Sequence, residues 1–156
     1  MHIRDDDFFN RIDTMRTKMI KIAYSYFSSE SMAIDLVDEA IYKGYLKRKS
    51  LREMEYMETW MIRILINLCN NHYKKFSKVN GIDELPEEST VEQYDSLPLK
   101  IAMQKLPEKY RQVVVLKYFV GYGVAEISEI TGTPQGTVAT RLRKALSLLR
   151  LELQDE

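Results

Sequence analysis

Along the amino-terminal half, apolar residues recur at intervals of three and four, the spacing that gathers them on one side of a helix. Phe9, Ile12, Met19, Ile20, Ala23 and Phe27 form one such stripe and predict a first helix from Asp6 to Phe27. Ser28-Ser29-Glu30-Ser31 then offers a break and an N-cap. Ala33, Leu36, Val37, Ala40 and Ile41 predict a second helix from Met32 to Leu46. Trp60, Ile64 and Leu68, joined by Cys69 and His72, predict a third from Met54 to Phe76. Beyond Pro98 the elements shorten. One helix is expected near Leu99–Lys105, another from Pro107 to Phe119, a third from Val124 to Thr131 and a fourth from Gln135 to Leu151. Pro107 suits a first helical turn because its missing N–H has no acceptor there, and Gly121-Tyr122-Gly123 stops the helix it opens. Val113-Val114-Val115 is strand-like locally, but no segment keeps period two over a useful length. The pattern predicts an all-α fold.

Between the two helical sets the pattern fails. From Ile82 to Pro98 the chain carries six acidic residues (Asp83, Glu84, Glu87, Glu88, Glu92, Asp95), no Lys or Arg, and little periodicity. That composition predicts an acidic, flexible linker over 79–96, dividing a domain at 1–78 from another at 97–156.

The second domain carries the most specific signal. A short helix, Thr-Gly-Thr-Pro and a longer helix are the parts of a helix-turn-helix. Gly132 suits the left-handed residue that ends the first helix, and Pro134 keeps it from running on. Ile127 lies five residues before that glycine and Val138 six after it, with the small Ser128 where the helices approach. In the last helix Val138, Leu142, Ala145, Leu146 and Leu149 share a core-facing side. From Pro134 to Arg150 there are four basic residues and no acidic one. Thr133, Gln135, Thr137, Thr140 and Arg141 lie at or near the end that would enter a major groove, where Gln and Arg pair with base edges. Arg143 and Lys144 are placed to meet phosphates.

Composition changes this picture little. The 156 residues carry 23 basic and 23 acidic side chains, so attraction to nucleic acid must come from local patches. One cysteine and two histidines offer neither a disulfide nor a histidine-rich metal site, and no metal or cofactor is expected. His72 has no nucleophile or paired carboxylate beside it, so no enzymatic activity is expected. Asp5, Asp6 and Asp7 suit the positive end of a helix dipole. The cluster Lys43, Lys47, Arg48, Lys49, Arg52 reads equally as a solvated face or a contact. With no apolar run of membrane length and an acidic start, a cytoplasmic protein is expected.

A helix-turn-helix does not by itself separate a repressor from other DNA readers. The run LPEKYRQVVVLKYFVGYGVAEISEITGTPQGTVATRLRKAL, with Leu106, Pro107, Arg111, Thr137, Val138, Arg141 and Leu142 on the pattern, resembles the carboxy-terminal domain of extracytoplasmic-function sigma factors of the sigma-70 family. Ala139 stands where a lysine is common. AIDLVDEAIYKGY, with Asp35, Leu36, Val37, Glu39 and Ala40 on the pattern, is similar to the family's helix that docks on the clamp helices of the polymerase's largest subunit. TWMIRILINLCNNHYKK resembles the helix that melts and reads the minus-ten element.

The resemblance implies a non-enzymatic alternative sigma factor that binds bacterial core RNA polymerase and directs it to particular promoters. It assigns polymerase contact to Asp35, Leu36, Asp38 and Glu39. Minus-ten recognition falls to Arg63, Asn67, Asn71, Lys74 and Lys75, and minus-thirty-five recognition to Thr133, Gln135, Thr137, Thr140, Arg141, Arg143 and Lys144. It further implies an anti-sigma partner. Two other readings compete: a free-standing helix-turn-helix regulator that dimerises on its operator, and an interaction module that uses such surfaces without promoter activity.

Overall fold

The computed structural model describes residues 3–80 and 97–154, and among these every regular element is helical. The chain divides into two compact units, Met1–Glu87 and Glu88–Glu156. Of the linker expected over 79–96, residues 81–96 lie outside the described residues, while 79 and 80 still belong to a helix.

The first unit is built on α1 (Asp5–Phe27), α2 (Glu30–Leu46) and α3 (Met57–Asn80), with short 3-10 turns at Arg48–Ser50 and Met54–Tyr56. Each of the three helices packs on the other two. The break between α1 and α2 is a tight reversal. Ser28 adopts the left-handed conformation (φ 52°) and its N–H closes on the Tyr24 carbonyl, while the Ser29 hydroxyl accepts from the Met32 N–H at 3.3 Å. The second helix therefore begins at Glu30, earlier than the expected Met32.

The buried stripes are displaced from those expected. On α1, Phe8, Ile12, Met15, Met19 and Ile22 are buried, whereas Phe9 is 46% exposed and stacks on Tyr45. On α3 the core side is Met57, Met61, Ile62, Leu65, Ile66, Leu68 and Cys69, while Trp60, Ile64 and His72 are only partly covered. The stripe of α2 is as expected, with Gly44 added. Each fully buried Leu, Ile, Met or Phe contributes about 1.5–3 kcal/mol. The exposed ion pairs between these helices contribute about 0–1 kcal/mol each. Apolar burial therefore holds the unit together.

The second unit comprises α4 (Leu97–Lys105), α5 (Glu108–Val114), α6 (Val124–Thr131) and α7 (Gln135–Gln154). The helix opened after Pro107 does not stay α-helical to Phe119. It continues as a π-helical segment, Val115–Val120, which ends on Gly121 at φ 100° with the Gly121 and Tyr122 N–H groups both donating to the Leu116 carbonyl. Val113, Val114, Val115 and Leu116 are all buried, which explains an apolar run too dense for an amphipathic helix. α7 is the packing centre: α4, α5 and α6 all rest on it. Val138, Ala145, Leu142 and Leu149 face inward, but Leu146, expected among them, is 41% exposed.

Gly44 of α2 packs directly against Met61 of α3. A Cβ there would lie 2.7 Å from the Sδ and Cε of Met61, which is fully buried, and 3.5 Å from the Trp60 ring. Gly44→Val is expected to destabilise the first unit by about 1–3 kcal/mol through overpacking. Met61→Ala should cost less in the Gly44→Val background than the roughly 2–5 kcal/mol of a Met→Ala cavity alone. Urea unfolding followed by Trp60 fluorescence measures both, and purely additive losses would show that the two residues do not share this space.

Candidate nucleic-acid and docking surfaces

Three surfaces gather the residues singled out in the sequence. The first is the outer side of α2. Asp35, Asp38 and Glu39 stand at i, i+3 and i+4 and are exposed. Leu36 does not join them. It is 4% exposed and Val37 is fully buried, so the contact expected of Leu36 is withdrawn: its side chain belongs to the core of the helix bundle. The apolar members of the outer face are instead Ile34, Tyr42 and Leu46, at 40%, 63% and 60% exposure.

Two of the three acids already have partners within the unit. The Asp38 carboxylate lies 3.4 Å from the Arg16 guanidinium of α1. Glu39 lies 3.5 Å from His72 Nε2 of α3 and 4.0 Å from Lys43 Nζ. All these groups are about half exposed, so the Asp38–Arg16 and Glu39–Lys43 pairs are worth at most about 1 kcal/mol each. Among the described residues Asp35 has no such ion pair. The basic cluster after α2 divides as well. Arg48 lies 4.0 Å over the Tyr45 ring and 3.5 Å from Asp5, to which the Tyr45 hydroxyl also donates. Asp5 thus pins the end of α2 in addition to starting α1, and Lys47, Lys49 and Arg52 are the exposed remainder.

The second surface is one side of α3. Arg63, Asn67, Asn71, Lys74 and Lys75 are all exposed and fall along a single stripe, at i, i+4, i+8, i+11 and i+12. The intervening Asn70 serves the fold instead, because its Oδ1 accepts from the Tyr26 hydroxyl at 2.7 Å. Tyr26, Phe27 and Tyr73 form an aromatic cluster around that bond, fixing α3 against the end of α1. In the sequence only the helical period separates Asn70 from its neighbours. Before α3, the carboxyl of Glu53 is raised above the ordinary Glu range by a hydrogen bond with Glu55 and by that neighbour's like charge. Among the described residues no group of His, Cys, Asp and Glu could hold a metal ion.

The third surface is α6, its turn and the first turns of α7. Glu126 accepts from the Gly123 N–H at 3.2 Å, which caps the start of α6. At its end Gly132 sits at φ 68°, and the Gly132 and Thr133 N–H groups both donate to the Ser128 carbonyl. The Ser128 hydroxyl reaches over the turn to the Thr133 carbonyl at 2.6 Å. Ile127 and Val138 are fully buried on the two sides of the turn. Locked in this way, α7 presents Gln135, Thr137, Thr140, Arg143 and Lys144 as exposed residues, with Thr133 and Arg141 half-buried at the margin. Thr140 is committed within the helix: its hydroxyl donates to the Gly136 carbonyl at 2.9 Å and accepts from Arg143 at 3.3 Å. Lys144 Nζ lies 5.9 Å from the centre of the Tyr110 ring on α5. Arg111, a member of the motif that opens α5, is 6% exposed and part of the packing beneath.

Comparison with known proteins places both units. The family described as Sigma-70 region 2 matches residues 12–78, and the one described as Sigma-70, region 4 matches residues 98–149. The chain is 31% identical to the RNA polymerase sigma factor SigV of Bacillus subtilis, over 87% of this chain and 84% of that protein. It is 29% identical to the ECF RNA polymerase sigma factor SigW of the same organism, over 96% and 90% of the two chains. Among solved structures it resembles the sigma factor RpoE of Bartonella quintana, solved in complex with the anti-sigma factor NepR (TM-score 0.81, 22% identity, 95% and 97% of the two chains). It also resembles CnrH, solved in complex with the cytosolic domain of CnrY (TM-score 0.74, 17% identity, 98% and 91%).

The turn's geometry has a measurable consequence. Ser128→Ala leaves the Thr133 carbonyl without its hydroxyl donor and is expected to cost about 1 kcal/mol. Gly132→Ala places a Cβ in the left-handed region and should cost about 1–2 kcal/mol. Both should speed amide exchange in α6 and at the start of α7 while leaving α1–α3 unchanged; slowed or unaltered exchange at the turn would contradict the assignment.

Proposed function

The chain belongs to the sigma-70 family, in its extracytoplasmic-function group, and from that premise we infer how its three surfaces divide the work of promoter-specific initiation. As such a factor it binds core RNA polymerase and directs it to promoters. The free-standing regulator considered above is not favoured, because residues 12–78, which such a regulator does not need, match Sigma-70 region 2. The reading of the chain as an interaction module without promoter activity is set aside on the same footing, since both conserved regions are present in order.

In this reading the outer side of α2 docks on the clamp helices of the largest subunit. Asp35, Asp38 and Glu39 supply the charge, and Ile34 and Tyr42 the apolar contact. Docking exchanges the weak intramolecular partners Arg16 and His72 for cations of the polymerase. The stripe on α3 meets the minus-ten strand, with Asn67 and Asn71 towards bases and Arg63, Lys74 and Lys75 towards phosphates. α7 enters the major groove of the minus-thirty-five element. There Gln135, Thr137 and Arg141 face base edges, while Thr133, Thr140, Arg143 and Lys144 face the backbone. The observation that carries the residue assignment is the alignment of Arg63, Asn67, Asn71, Lys74 and Lys75 on one exposed side of α3, opposite its core side.

The polymerase supplies the chemistry, and the chain itself catalyses no reaction. Its place of action is the cytoplasm, where polymerase and promoter are, and among the described residues no helix is long and apolar enough to cross a membrane. An anti-sigma factor is a further partner in this reading, by analogy with RpoE, solved in complex with the anti-sigma factor NepR. Domain limits at 1–78 and 97–156, joined over 79–96, complete the reading.

Run-off transcription with core polymerase, with and without the protein, tests the function: a transcript that needs both is expected. Arg141→Ala should lower output from a promoter with an intact upstream element about tenfold or more, since a bidentate base contact is worth about 1–3 kcal/mol. Core association should be unchanged. Asp35→Ala combined with Glu39→Ala should instead weaken core association. Identical behaviour of the two variants in a polymerase pull-down would overturn the division of roles.

A further inference from the structure

Gly136 has no internal reason to be a glycine. It lies in the first turn of α7, exposed to solvent, and glycine is second only to proline as a poor helix former. Most other described glycines answer to a local need. Gly121 and Gly132 adopt positive φ, at 100° and 68°, a Cβ at Gly44 would meet Met61 at 2.7 Å, and Gly123, at φ −81°, is the N-cap of α6, a position where glycine is favoured. Gly136 meets none of these conditions: its φ is not positive, and a Cβ built there would have nothing within 4 Å. Within the protein, an alanine would fit at no steric cost.

Its position says what the missing side chain makes room for. Gly136, Thr140 and Arg143 stand at i, i+4 and i+7, in the middle of the exposed side of α7 and opposite Val138, Leu142, Ala145 and Leu149. Hydrogen bonds link the three into a line, from the Arg143 guanidinium to the Thr140 hydroxyl to the Gly136 carbonyl. Beside it, the first i to i−4 bond of α7 runs from the Val138 N–H to the Pro134 carbonyl, so the amides of residues 135–137 have no acceptor in the preceding turn of the helix. An exposed helical surface without a Cβ, in a first turn whose amides have no helical acceptor, suits the close approach of another molecule's backbone.

We propose that the sugar–phosphate backbone of the minus-thirty-five duplex comes into van der Waals contact with the Cα of Gly136, making this glycine a positioning residue that sets how deeply α7 enters the groove. This rests on the reading of α7 as the DNA-facing helix and adds a residue that carries no DNA-binding side chain. Neither a polar nor a basic residue type marks it in the sequence.

The test is Gly136→Ala in the full chain, with Arg141→Ala alongside. Three readouts are needed: thermal unfolding, core-polymerase pull-down, and transcription by the reconstituted holoenzyme from a cognate promoter, mapped from transcripts that rise on overexpression. For Gly136→Ala the midpoint of unfolding should stay level or rise by a few degrees. Core association should be unchanged, and transcription dependent on the upstream element should fall at least tenfold. Transcription within twofold of the parent while Arg141→Ala loses it would overturn the close contact and leave the DNA-facing role of α7 standing. No loss in either variant would overturn that role as well. A lowered midpoint would mean that the fold itself needs the glycine, and a loss of core association would mean that polymerase is the close neighbour; either result rejects the proposal.

Discussion

One stripe of α7 answers to two demands. Val138, Leu142, Ala145 and Leu149 are the surface on which α4, α5 and α6 pack, so they fix the rotation of the helix about its own axis. Because side chains repeat every 3.6 residues, that rotation also decides which residues are left outside. Gly136, Thr137, Thr140, Arg143 and Lys144 face solvent because the opposite side is spent on the core. The Gly132 turn and the Ser128–Thr133 bond then set the angle of α6 to α7, so the outward residues are presented on a rigid support. Reading DNA with a helix requires side-chain placement that a free helix could not maintain, and burial of the stripe provides it.

In the first unit the same logic meets a different energetic scale. Burial of Phe8, Ile12, Met19, Met61 and Leu65 contributes several times what any ion pair does, so charges on the outer face are not needed for folding. The acids of α2 are nevertheless engaged, Asp38 with Arg16 of α1 and Glu39 with His72 of α3. Contacts at half exposure cost little to break. The Glu39–His72 contact also ties α2 to α3.

How much of the structure is legible in the sequence depends on how strongly each feature is coded locally. The turn at Gly132 is legible because glycine, proline and flanking apolar spacing are local signals. The stripe of α2 is legible because its helix is short and its apolar positions are unambiguous. On α1 the adjacent Phe8 and Phe9 both suit a stripe. Only the stacking of Phe9 on Tyr45, a residue of the next helix, decides which of the two is buried. On α3 the Trp60 side reads as the core by size, yet the smaller Met61 is the one that fits against Gly44. Leu36 is misplaced for a related reason: a motif shared with a family does not say which of its members contacts a partner and which holds the helix. The π-helical segment at Val115–Val120 has no local signal: its apolar run, buried from Val113 to Leu116, has no period that distinguishes it from an α-helix.

A formal charge of zero gives the chain no long-range pull towards DNA. Exposed positive charge lies on the stripe of α3, on the outer side of α7 and in the cluster Lys47, Lys49 and Arg52 after α2, while the outer side of α2 carries Asp35, Asp38 and Glu39. Separating strands costs stacking energy, about 1.4 kcal/mol per base-pair step, which a handful of exposed asparagines and lysines cannot offset alone. On polymerase the arithmetic changes. In the proposed reading, docking through α2 turns the encounters of α3 and α7 with DNA into intramolecular ones, at the high effective concentration that tethering confers. In that reading a neutral chain becomes selective only when assembled, because the charge balance that gives it no long-range pull towards DNA makes it depend on the enzyme.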